Sequence, residues 1–146
     1  MNRRDKMIPK FRAWLKYDKE MKNVLAFDTR GHSFLGIEGP HVTVDGWCDN
    51  FEVGNQAEIM QSTEMDDKIG KEIWHKDILD ESYTSPLNGE EVIVRYIVEK
   101  ENGMWKLKDW KGRQQYDRYL FMRNKQCVKI GNVFQNSELL EQANEK

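Results

Sequence analysis

No pair of residues constrains this chain more than Asn102-Gly103. It separates residues 91–100 (EVIVRYIVEK), rich in β-branched and aromatic side chains, from residues 104–110 (MWKLKDW). An Asn-Gly pair between two strand-like runs marks a tight β-hairpin, because both central turn positions need positive φ. The first run is apolar on both sides, so at least part of it is expected to be buried on both faces.

The rest of the chain reads as short strands and turns. Residues 10–17 (KFRAWLKY) alternate, with Phe11, Ala13, Leu15 and Tyr17 on one side and Arg12, Trp14 and Lys16 on the other. Period two means a half-buried strand. A turn at Asp18-Lys19-Glu20 leads to a second strand over residues 21–27. Gly31, Gly36, Gly39 and Pro40 punctuate a loop, and Val42 and Val44 mark a strand that ends near Gly46. Residues 49–55 read as an acidic connection. Residues 57–80 combine a strand at 58–61, a charged loop through Gly70, and a return through Ile73, Trp74, Ile78 and Leu79. Residues 116–122 (YDRYLFM) fit a strand or a helical turn equally, and residues 127–134 read as a strand interrupted at Gly131-Asn132. Asn136 stands where a helix N-cap would, before a short C-terminal helix docked through Leu139 and Leu140. The expected fold is mainly β, a distorted barrel or sandwich of short antiparallel strands closed by that helix. One domain over residues 1–146 is expected, flexible at 1–8 and frayed over 142–146.

Composition agrees with a globular chain: 146 residues, 38% hydrophobic and 33% charged. No apolar run approaches the roughly 20 residues of a membrane-spanning helix. The basic N-terminus has no apolar segment after it, so a cytoplasmic protein without a cleaved leader is expected. The net charge of −2 hides blocks of opposite sign. Residues 1–37 hold nine Lys/Arg against four Asp/Glu, residues 38–90 three against thirteen, and residues 91–129 ten against five. Such blocks match one another inside one fold, or steer a partner, a second copy included. Loss of a complex at high salt would favour a charged contact over an apolar one.

Three stretches carry a family likeness. They are FRAW at residues 11–14, MQSTEMDDKIGKEIWHKDIL at residues 60–79, and VKIGNVFQNSELLE at residues 128–141. Together they resemble the opening strand, the signature turn and the closing strand and helix start of the YopX family of uncharacterised phage and prophage proteins. The resemblance implies a β-rich, barrel-like domain with small helical additions, a phage origin, and no established activity. Glu64 and Lys76 stand where the family pattern has glycine. Glycine supplies positive φ cheaply, so the shape of these turns becomes a question for the structure.

Few residues offer chemistry. Cys48 and Cys127 are far apart and have no zinc-ligand spacing, so both are expected to be reduced thiols. His32, His41 and His75 are scattered, no serine sits in G-x-S-x-G, and no phosphate-cradling loop is present. No catalytic residue and no cofactor is assigned. The acidic loop 66–80, with Asp66, Asp67, Glu72, Asp77 and Asp80, would support a metal-dependent nuclease if its carboxylates converged. The simpler reading is a turn whose Asp side chains bond backbone amides, and no metal ligand is assigned. Asp109-Trp110-Lys111 gives only a fragment of an Asp-then-Glu-x-Lys nuclease pattern.

Basic and aromatic residues interleave at Trp105, Lys106, Lys108, Trp110, Lys111, Arg113 and Arg118. Cations on phosphates with aromatics stacked on bases is how β-rich modules hold single strands. The same residues also serve as core aromatics with solvated partners, or as anchors for a protein. The favoured reading is a phage accessory protein that acts by binding, through self-association or a protein partner. Single-stranded nucleic acid at 105–123 is the alternative, and a nuclease using loop 66–80 a further one.

Overall fold

The computed structural model describes residues 9–31, 38–46, 49–112 and 116–144. The expected flexibility of residues 1–8 therefore lies outside the described residues, as do His32, Cys48 and Arg113. The chain forms two compact units, Met1–Ser62 and Thr63–Lys146. It is mainly β and antiparallel, as the alternating segments predict. Among the described residues neither main sheet closes on itself.

In the first unit, β1 (Phe11–Leu15) pairs with β2 (Glu20–Asp28) and with β5 (Ala57–Asp66), both antiparallel. β3 (His41–Val44) pairs with the other side of β2, and β4 (Asn50–Glu52) pairs with β3 at the sheet edge. The connection expected over 49–55 thus contains a strand, too short at three residues to show a period. Ala13, Leu15, Val42, Val44 and Ala57 are fully buried together, with Val24, Phe51, Val53 and Ile59 packed on them. Tyr17 does not join Leu15, because the strand ends at Leu15 and Tyr17 points into solvent from the turn.

In the second unit, the far half of β5 leads to β6 (Glu72–Trp74), followed by β7 (Asp77–Asp80). The Asn-Gly hairpin forms as its residues demand. Asn102 has φ +53° and Gly103 φ +78°, and Glu101 faces Met104 across the two-residue loop. Its strands are β10 (Arg95–Glu101) and β11 (Met104–Asp109). The run 91–100 is divided rather than continuous. Glu91–Val92 forms β9 and pairs with β8 (Tyr83–Thr84), whereas β10 sits between β7 and β11. That central place buries Tyr96 and Val98 fully and leaves Ile97 and Glu99 half-buried.

Residues 116–122 adopt both expected forms in succession. Arg118–Tyr119 is β12, paired with β11, and Leu120–Arg123 is the short helix α1. A 3₁₀ turn over Asn124–Gln126 leads to β13 (Val128–Asn132), bulged between Lys129 and Gly131. The C-terminal helix α2 runs Glu138–Asn144, past the Gln142 where fraying is expected. Asn136 does not cap it. Its Oδ1 accepts instead from the Asn132 N–H at 3.1 Å, closing the loop after β13. Ile73, Leu79, Tyr96, Val98, Leu107, Leu120 and Cys127 form the core of this unit. Each fully buried aliphatic side chain there stabilises the fold by roughly 1.5–3 kcal/mol.

The charge blocks meet inside this second unit. Asp77 pairs with Lys129 at 3.2 Å, Asp80 with Arg95 at 3.1 Å, and Glu81 with Arg123. Each pair joins the acidic block to the basic block that follows it, so much of the asymmetry is internal compensation.

Candidate binding surface

β11 carries most of the basic-aromatic segment, and strand alternation divides that segment between two faces. Met104, Lys106 and Lys108 point one way. Trp105 and Leu107 point the other, toward Tyr96, Val98 and Leu120. Trp105 packs half-buried on that core, with the His75 ring 5.7 Å away and Lys100 Nζ 5.4 Å from its centroid. Arg118 shares this side. It faces Leu107, donates to the Tyr96 hydroxyl and lies 5.5 Å over the Tyr96 ring.

On the other face, Lys106 is only 6% exposed at its side chain. Its Nζ donates to Asp117 at 3.0 Å and to Glu101 at 3.2 Å, and lies 5.7 Å from the Tyr119 ring. Hydrogen bonds to Asp117 and Glu101 push the Lys106 pKa up. Lys108 pairs with the second Glu101 oxygen at 2.8 Å. Bonds from Lys108 and Lys106 hold the Glu101 carboxyl below its ordinary range. Two lysines and two carboxylates are therefore committed to one another. Lys111 lies just past the strand, where its N–H donates to Asp109 at 2.8 Å, and Trp110 beside it is 40% exposed. The six described candidate residues do not form one basic face, and Arg113 lies outside the described residues.

Apolar side chains flank the neutralised lysines: Met104 shares their side of β11, Phe121 adjoins them through Tyr119, and Met122 follows Phe121 in α1. Met104 is 40% exposed, Phe121 59% and Met122 65%. Tyr119 stands opposite Lys106, with its ring 6.1 Å from that of Phe121. The sequence reading missed Met104, Phe121 and Met122 as surface residues. The available signal was a run, YLFM, too short to bury on every side of a single helical turn.

The acidic loop is occupied by backbone. Asp67 is fully buried and accepts from the amides of Ile69 at 3.0 Å, Lys71 at 2.8 Å and Lys129 at 2.8 Å. Burial pushes its pKa up, but the three amides outweigh it and hold the carboxyl below the ordinary value. Asp77 accepts from the Trp74 amide at 2.7 Å, and Asp80 from the Ser82 amide and Arg95. Among the described residues no three His, Cys, Asp or Glu come together as a metal ion would require. Cys127 is buried and donates to Glu81 at 3.3 Å; burial and that carboxylate push its thiol up to about 12. A thiol so shifted is not a nucleophile.

The family model described as YopX protein matches residues 10–141, nearly the whole described chain. The chain belongs to the YopX family. A solved structure, protein EF1440 from Enterococcus faecalis, shares 22% identity and covers 91% of this chain and 98% of its own, with a TM-score of 0.54. That likeness speaks for the fold alone. No curated protein matches. The two positions where the family pattern has glycine keep glycine-like backbone here, with φ +62° at Glu64 and +70° at Lys76. The turns keep their backbone and carry strained residues in it.

Proposed function

We propose that this YopX-family protein is a non-catalytic phage accessory of the bacterial cytoplasm that works by binding protein, a second copy included. One observation carries the reading: on the face of β11, β12 and α1, the cations are neutralised within the chain while Met104, Phe121 and Met122 stay exposed. A phosphate-binding surface needs cations free to replace counterions. A protein contact needs apolar anchors within a polar rim.

The single-stranded nucleic-acid reading rests on Trp110, exposed beside Lys111. Fluorescence anisotropy with labelled single- and double-stranded DNA and RNA at two salt concentrations separates the two. The protein-binding reading expects no salt-sensitive binding. Binding that weakens steeply with salt, and fails when Lys106, Lys108 and Arg113 are all changed to Ala, would overturn it.

A further inference from the structure

We infer that the face built from β11, β12 and α1 is the contact between two copies of this chain, related by a two-fold axis. The inference rests on the protein-binding reading and names its partner. Three observations favour a second copy over another protein.

The first is charge. Lys106 and Lys108 balance Glu101 and Asp117, and every one of the four is already paired within its own chain. These four charges cancel and give a charged partner no free handle, and an identical set meets them without repulsion. The second is closure. Tyr119, Phe121 and Met104 lie together around Lys106, whereas in the same unit Ile69 and Leu87 stand singly at turns, and the other exposed apolar group among the described residues is the smaller pair Leu25 and Phe27 on β2 of the first unit. A contact that uses one patch is isologous and closes as a pair; a head-to-tail contact needs a second complementary patch. The third is area. At roughly 200 Å² per large side chain, Met104, Phe121 and Met122 offer about 300 Å² of exposed apolar surface per copy. With the ~60% apolar share of interfaces, two copies would bury on the order of 1,000 Å², the lower edge of specific pairing. The pair therefore sits at the small end of specific interfaces and is held by apolar contact.

The test is sedimentation velocity on the full chain from low to high micromolar concentration, repeated at about 1 M NaCl, where the Debye length is ~3 Å. Labelled single-stranded DNA is included in a parallel cell. The wild type is expected to pass from one-copy to two-copy mass and to keep the two-copy mass at high salt. Phe121→Ser combined with Met122→Ser, both exposed and so compatible with folding, is expected to weaken pairing at least tenfold. Met104→Lys serves as a second disrupting variant, Leu87→Ser as a control that pairs like wild type, and circular dichroism checks that each is folded. A one-copy mass at every concentration overturns the inference. So does loss of the pair at high salt, growth into larger assemblies, or undiminished pairing in the disrupting variants. A one-copy protein that binds the DNA in a salt-sensitive way overturns the protein-binding reading as well. A one-copy protein that ignores the DNA overturns the two-fold pair alone.

Discussion

Replacing Glu64 by glycine is expected to stabilise the protein, although glycine within a strand is ordinarily a loss. Glu64 sits in β5 with φ +62°. Left-handed backbone costs an L-residue roughly 1–2 kcal/mol through contact of Cβ with the following carbonyl. Glycine removes that contact but gives up roughly 0.5–1 kcal/mol of chain entropy. The difference is a gain of about 0.5–1 kcal/mol, or a few degrees in Tm for a chain of this size. Glu64→Ala separates backbone from side chain, since it deletes the carboxylate and keeps the Cβ. The quantity to read is the urea-unfolding free energy of Glu64→Gly minus that of Glu64→Ala. Lys76, at φ +70°, gives an internal contrast, because its Nζ also pairs with Glu99 at 2.5 Å. Losing a half-exposed pair costs about 0–1 kcal/mol, so Lys76→Gly should come out near neutral. If Glu64→Gly proves less stable than Glu64→Ala, the strain argument is wrong.

Other expectations follow from single contacts. A Cβ on Gly131 would stand 2.4 Å from Asn136 Oδ1, the atom that accepts from the Asn132 amide. Gly131→Ala should therefore cost about 1–3 kcal/mol in urea unfolding, with partial recovery on adding Asn136→Ala. The lowered pKa of Asp67 means its ionised form favours the fold. Its stabilisation is present above the unfolded value of roughly 4 and is lost as pH falls through the lower folded value. Asp67→Asn should lose about 2 kcal/mol or more at neutral pH and show a flatter acid limb. Cys127, with its thiol pushed up to about 12, should resist iodoacetamide at pH ~8 in the native protein and react once unfolded. Site-resolved mass spectrometry would read this, and full native labelling at Cys127 would contradict it.

The legible parts of the fold are those where local chemistry dictates geometry. Asn102-Gly103 demanded positive φ and obtained it, and Ala13 and Leu15 are buried on one side of β1 as their alternation predicts, although Arg12 on the other side is buried as well. What escaped were elements with too few residues to show a period, such as β4 and β8. The split between β9 and β10 escaped too, because strand partners decide it and composition does not. Asn136 misled as a cap, since its side chain found the Asn132 amide instead. At the surface, the residue types of the basic segment were readable but their faces were not. β alternation sends Trp105 and Arg118 inward, and cross-strand Glu101 with nearby Asp117 neutralises Lys106. Both facts depend on a register that no single segment reveals.

Hydroxyl-radical footprinting tests most directly whether the face of β11, β12 and α1 is a protein contact. The thioethers of Met104 and Met122 oxidise readily when exposed, so mass spectrometry can follow each as protein concentration rises. The account predicts falling oxidation at Met104, Phe121 and Met122 in concentrated protein, with Tyr17 unchanged. Unchanged oxidation at all three, with protection of Trp110 when single-stranded DNA is added, would contradict it.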